Sequence, residues 1–230
     1  MVLVGWEDIK IGLTEVPVGM SAPRLLLYVF LGCVLLSQTV GRLVRRLWHF
    51  PIPSFMTQLI DNPLRRRIIQ PPGEFAERLR LELGMSVVEI GPGKGSYTFE
   101  VARRVVPGTV YACDIAPYVV EKLRERAEKE GVTNVDARIE DVFSLSFPDS
   151  SIDRIYMIAT LPEIPGPVKA LKECRRVLKP GGLLSLSELL FDPDYPLRGT
   201  EKRWAGEAGF VLEEEYGGFV CYQLNYRKSI

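Results

Sequence analysis

Residues 89–98 read EIGPGKGSYT: three glycines, Gly91, Gly93 and Gly95, at alternate positions directly after an apolar run, with Lys94 between two of them. Glycine frees the backbone for a sharp swing and removes side chains where a ligand must lie against the main chain. Three readings compete: a phosphate cradle, a bed for another adenosine-containing cofactor, or a plain tight turn. A P-loop is excluded, because it needs four residues between its glycines and then Lys-Ser/Thr. The dinucleotide fingerprint needs Gly or Ala at position 96, where Ser96 stands.

The surroundings narrow the choice. The segment "SVVEIG" before the loop is a buried strand rich in β-branched residues, and "SYTFEVARRV" after it is helical. Then come a strand "TVYACD", an amphipathic helix from Ala116 to Gly131, a third strand "VDARIED" and a fourth, "IDRIYMIAT". "GPVKALKECRRVLKPGG" is expected as a helix stopped by Pro-Gly-Gly, followed by a fifth strand "LLSLSELLF". "GTEKRWAGEAGF" is a helix, and a hairpin around Gly217-Gly218 closes the chain. Alternation of this kind predicts an α/β fold with a parallel, doubly wound sheet that binds ligands beyond the carboxyl ends of its strands. Asp114 ends the second strand, where an acid accepts from both hydroxyls of a ribose, and Ile115 offers an aliphatic face to a base. At the end of the third strand, Asp141 and the backbone at Val142 suit a purine edge; a helix cap for Asp114 and a turn role for Asp141 are the rival readings.

On E-x-G-x-G-x-G (89–95), the acid at 114, E-D-V (140–142), the F-P-D-x-S-x-D run (147–153) and V-L-K-P-G-G (177–182), the chain resembles the class I S-adenosylmethionine-dependent methyltransferases over about residues 74–230. Within them it looks most like the branch of ubiquinone/menaquinone-biosynthesis, sterol and phospholipid methyltransferases. The resemblance implies a Rossmann-like seven-stranded sheet of order 3-2-1-4-5-7-6 with strand 7 antiparallel. It implies S-adenosyl-L-methionine as cofactor, with Glu89, Gly91, Pro92, Gly93 and Gly95 bordering its methionine part, Asp114 on the ribose and Asp141 on the adenine. Ile115, Val142 and Ile158 complete the expected cofactor-binding set. A cationic sulfonium favours acids at strand ends, where a pyrophosphate would be repelled. On the acceptor side, "ATLPEIPG" (159–166) offers Glu163 as a candidate catalytic base or cation partner, and "FDPDYP" (191–196) offers Asp194 and Tyr195. Asp153 reads as structural. The Asn/Asp-Pro-Pro-Tyr/Phe motif of amino-methylating DNA enzymes is absent after strand 4, where "TLPE" stands.

The rest of the chain bounds its setting. Of 230 residues, 47% are apolar and 25% charged, and the formal net charge is zero. Residues 1–72 carry eight Lys/Arg against four Asp/Glu, leaving 21 against 25 in the body. The basic residues interleave with apolar ones and no finger or helix-turn-helix accompanies them, so no nucleic-acid partner is expected. Cys33, Cys113, Cys174 and Cys221 are far apart, as befits buried thiols in a reduced compartment, and the lone His49 builds no metal site. From Leu25 to Gly41 no charge occurs, and Arg42, Arg45 and Arg46 follow at once. This length is at the short end for a bilayer span, so 24–41 reads as a membrane anchor, spanning or in-plane, after an N-terminal segment 1–23. The arginines then put the body on the cytoplasmic side. A helix packed on the domain or on a second subunit is the alternative. Residues 42–73, rich in aromatics, arginines and prolines, read as an interfacial or lid segment before the catalytic domain 74–230. The expectation is a membrane-associated methyltransferase whose partners are membrane lipids and a hydrophobic or lipid-like acceptor. A soluble enzyme of the same chemistry and a catalytically silent membrane-bound module are the rivals.

Overall fold

The computed structural model describes residues 21–29, 32, 36, 39–40, 63, 65–190, 192 and 194–228. The chain divides into two compact units, Met1–Val44 and Arg45–Ile230. In the first, residues 22–29 are helical and their side chains are exposed. Part of the expected anchor (24–41) and most of the lid segment (42–73) lie outside the described residues. Among the described residues no helix is long and apolar enough to cross a membrane.

The second unit is built on seven strands: β1 Ser86–Ile90, β2 Thr109–Asp114, β3 Val135–Ile139, β4 Ile152–Ile158, β5 Leu178–Leu189, β6 Phe210–Gly217 and β7 Cys221–Lys228. Their order is β3-β2-β1-β4-β5-β7-β6. β1 pairs in parallel with β2 and β4, and β7 pairs antiparallel with β5 and β6. Among the described residues of this unit, five helices cover the sheet: α1 Pro72–Arg78, α2 Thr98–Val105, α3 Pro117–Lys129, α4 Pro167–Val177 and α5 Arg198–Glu207.

Alternation along the strands divides the core. Val87 and Tyr156 face α1 and α2 with Phe75, Val101 and Val105, while Ala112 and Ala137 face α3 through Val120 and Leu123. On the other side Val88, Ile90, Ile155, Met157, Leu184 and Leu186 meet Leu171 and Cys174 of α4 and Ala205 of α5. The two apolar faces of one sheet therefore explain helices on both sides.

Two boundaries differ from the sequence reading. α4 does not run to the Pro-Gly-Gly stop; it ends at Val177, and Leu178 already pairs with Ile152. The register then slips so that Arg154 pairs with Leu183, and Lys179–Gly182 bulge out of the ladder. Pro180 has no N–H to donate, and Gly181 holds φ 72°. Lys179 leans back onto Asp153 (2.7 Å), which also accepts the Ser86 N–H (2.9 Å). At the front, Pro72 opens α1 at its first turn, where a missing N–H costs nothing.

Candidate active site

β1 delivers the chain into the glycine loop, which is tight at both ends. Gly91 sits at φ 71°, its N–H 2.9 Å from the Cys113 carbonyl, and a Cβ there would stand 2.5 Å from the Thr160 side chain. At Gly95, φ 77°, a Cβ would come within 2.8 Å of the Phe99 ring. The buried Pro92 closes the turn by accepting the Gly95 N–H at 2.9 Å. Between them Gly93 faces open space, with nothing within 4 Å of where its Cβ would lie. Bare backbone is therefore presented in the middle of the loop.

Glu89, the strand residue two before Gly91, is 2% exposed. Its Oε2 accepts from the Tyr156 hydroxyl at 2.8 Å and from the Thr98 hydroxyl. Burial pushes this carboxyl up to about 7, against the pull of those two hydrogen bonds. Asp114 ends β2 half-buried, and burial raises its carboxyl while the N–H groups of Ala116 and Ile115 oppose the shift. Its Oδ1 accepts the Ala116 N–H at 2.8 Å. The cap residue of α3 is Ala116, without a side-chain cap bond, so Asp114 is not the helix cap. Ile115 beside it is 71% exposed, an aliphatic surface over the strand ends.

Beyond β3, Asp141 is exposed and its Oδ1 accepts the Phe143 N–H at 2.9 Å, a local turn. Val142 packs half-buried on the α4/α5 face, and Ile158 ends β4 half-buried against the α1/α2 face. All these residues lie at the carboxyl ends of β1 to β4, one end of the sheet. The acceptor-side candidates part company. Glu163 is exposed on the short 3-10 turn Leu161–Glu163 after β4. Tyr195 is buried; its hydroxyl donates to the Phe219 carbonyl at 2.7 Å, and its ring stands edge-on to Phe219 and Tyr222. That hydroxyl holds the β6–β7 turn in place instead of facing a reacting group.

Several site residues escaped the sequence reading. The π-helical turn Arg65–Ile69 carries Arg66, whose guanidinium donates to the Ser96 hydroxyl at 2.9 Å. Gln70 follows, accepting Arg65 at 2.6 and 3.0 Å and donating to the Ser187 hydroxyl at 2.5 Å. The Tyr97 hydroxyl lies 2.9 Å from the Gln70 carbonyl. A cavity of about 100 Å³ lies under this turn, lined by Gln70, Phe75, Ser187, Tyr222 and Gln223 among others. On the opposite face of β5, Glu188 and its neighbour Glu201 on α5 are fully buried. A glutamate inside the apolar run "LSLSELL" was the available signal, and it was passed over.

The set suits a cationic, adenosine-bearing ligand: two carboxyls held at strand ends, a bare loop between them and an exposed aliphatic platform. The described residues contain no cluster able to hold a metal ion. Comparison with known proteins points the same way. The family pattern described as "Methyltransferase domain" matches residues 88–186. The chain is 30% identical over 175 residues to 2-methyl-6-phytyl-1,4-hydroquinone methyltransferase 2 of Oryza sativa subsp. japonica, covering 74% of this chain and 47% of that one. It is 28% identical over 143 residues to a sterol 24-C-methyltransferase of Aspergillus fumigatus, covering 62% and 38%. The chain spans about half the length of the curated relatives it matches. A SAM-dependent methyltransferase from Aquifex aeolicus shares the fold at a TM-score of 0.71 and 23% identity, over 78% of this chain and 100% of that chain. Strand order, glycine loop, strand-end acids and relatives agree, and the chain belongs to the class I S-adenosylmethionine-dependent methyltransferases.

Proposed function

We propose that the protein transfers a methyl group from S-adenosylmethionine to a hydrophobic, lipid-like acceptor taken from a membrane. One observation carries the reading: exposed apolar side chains gather at the site end of the sheet. Ile68 projects from the π-helical turn tied to Ser187, Leu197 precedes α5, and Phe219 and Val220 form the β6–β7 turn beside Leu190. Contiguous apolar surface around a site marks an interaction surface for a membrane or an apolar ligand. In the other unit, the helical residues 22–29 leave Leu25 to Val29 exposed. Arg42, Arg45 and Arg46 follow that stretch in sequence, and the positive-inside tendency supports a body on the cytoplasmic side of the bilayer. The rice and Aspergillus relatives are named for a phytyl hydroquinone and a sterol, which are acceptors of this kind.

When bound, the cofactor supplies an electrophilic methyl on a cationic sulfur. Glu89 and the Gly91–Gly95 backbone would hold its methionine part, Asp114 its ribose, and Ile115 with Asp141 and Val142 its adenine. Displacement at the methyl asks the protein to align the acceptor and exclude water, so no protein nucleophile is needed. The test is to incubate full-length, detergent-purified protein with methyl-labelled cofactor and total lipid and quinone extracts. Label is expected in the organic phase; label confined to water-soluble metabolites overturns the reading.

A further inference from the structure

Glu188 ends the row Leu184, Leu186, Glu188 on the α4/α5 face of β5, at the carboxyl end of the strand. It is 0% exposed, and neither carboxyl oxygen has a hydrogen-bond partner among the described residues. Its cross-strand neighbour Tyr222 does not serve it. That hydroxyl lies 3.1 Å from Oε2 of Glu201 and 3.0 Å from the Pro196 carbonyl. Two buried, unsatisfied carboxyl oxygens cost several kcal/mol unless a ligand completes them.

Groups acting on Glu188 come from every element that meets there. Glu201 stands on α5, Asp192 after β5 and Glu163 after β4, and Arg65 on the π-helical turn is the opposing cation. Tyr195 and Tyr222 also feel its charge. Glu201 has a second oxygen, Oε1, without a partner among the described residues. Four carboxyls against one guanidinium repel an anionic headgroup. They welcome a hydrogen-bond donor.

Resting on the proposed function, we propose that Glu188 receives the methyl acceptor by accepting a hydrogen bond from its hydroxyl, and takes the proton the acceptor gives up. The acceptor class is then a neutral, phenol-bearing apolar molecule, not a phosphate- or carboxylate-bearing lipid. In the balance of the step, the methyl–sulfur bond breaks with its electron pair staying on sulfur, and a methyl–acceptor bond forms. The acceptor's O–H bond breaks with its electron pair staying on the acceptor oxygen, and the proton forms a new O–H bond on the Glu188 carboxylate. Like-charge neighbours and burial make the Glu188 carboxylate a stronger base than a solvated one. The positive charge opposing them, Arg65, stands on the π-helical turn that also carries Arg66 against Ser96.

The test uses the full-length protein, 2-methyl-6-phytyl-1,4-hydroquinone, its dimethyl ether, phosphatidic acid vesicles and catechol as a water-soluble phenol. Wild type is expected to methylate the hydroquinone and neither of the other lipophilic probes. Glu188→Gln, an isostere, is expected to lose about 100-fold or more in kcat, with cofactor affinity unchanged and the acid limb of the kcat/KM profile flattened. Glu201→Gln removes a like charge and shifts that limb to lower pH. Infrared difference spectra of wild type supply a readout independent of turnover. A protonated-carboxyl band absent from Glu188→Gln is expected to shift on adding hydroquinone or catechol, but not the dimethyl ether. A band that neither phenol moves overturns the proposal, as does Glu188→Gln turning over within about threefold of wild type with the same acid limb. If both phenols shift the band while no lipophilic probe is methylated, the lipid-acceptor reading fails and the role of Glu188 stands.

Discussion

Glu89 shows how one residue couples folding to cofactor. Its folded-state value of about 7 lies above the 4.5 of a free glutamate. The stabilising contribution is therefore complete below pH 4.5 and lost as pH rises through about 7, a span worth roughly 3 kcal/mol. The cofactor-free protein is expected to lose melting temperature between those values, and Glu89→Gln to abolish that slope in thermal scans. A cationic donor favours the carboxylate, so cofactor binding is expected to release a proton and to tighten as pH rises towards about 7. Calorimetry in two buffers of different ionisation heat measures the proton count; a count of zero would sink the linkage. Asp114, whose Oδ1 accepts the Ala116 N–H, is the proposed ribose partner. Asp114→Ala is expected to weaken S-adenosylmethionine binding by ~10–100-fold, the value of a charged hydrogen bond. Both acids were legible in the sequence because their motif is local. Their partners were not: Tyr156 stands 67 residues from Glu89, and only the sheet brings them together. Tyr195 was misjudged for the same reason, since the carbonyl it serves lies 24 residues away across a turn.

At the scale of elements, the π-helical turn Arg65–Ile69 is the piece that composition hinted at and only the fold explains. Its Gln70 ties three strangers together, Arg65, Tyr97 of the cofactor loop and Ser187 of β5. Gln70→Ala removes the side-chain bonds to Ser187 and Arg65 in a buried place while Tyr97 keeps the backbone carbonyl, a loss of about 1–3 kcal/mol that urea denaturation will read. Cofactor affinity is expected to fall with it, because the Tyr97 side chain opens the way to α2; an unchanged affinity would make the turn a mere brace. The alternation of strands and helices was readable because the central strands β1, β4 and β5 are buried on both faces and the helices on one, which fixes the period. The α4–β5 boundary was not. Pro-Gly-Gly reads locally as a helix stop, whereas here pairing of Leu178 with Ile152 begins the strand earlier and leaves those residues as a bulge.

For the whole molecule, the division into two units separates the proposed attachment from the chemistry. Every candidate cofactor-binding residue lies within Arg45–Ile230, and so do Glu188 and the π-helical turn. The first unit holds the apolar stretch Leu25–Gly41 and ends among Arg42 and its fellows. Deleting residues 1–44 is therefore expected to leave S-adenosylmethionine binding within about twofold of full length, because no cofactor contact is removed. The full-length protein is expected to sediment with membranes through high salt and to release only with detergent, since apolar burial is indifferent to ionic strength. Among the described residues, the shortened protein keeps the apolar rim of Ile68, Leu197, Phe219 and Val220 and the arginines of the π-helical turn. Its attachment is expected to be weak and salt-sensitive, each surface arginine adding about 1 kcal/mol at an anionic membrane. Vesicle co-sedimentation at two salt concentrations separates the two contributions. If full-length protein stays in the supernatant without detergent, the first unit is no anchor; if the shortened form sediments as firmly at high salt, the rim alone carries the membrane contact.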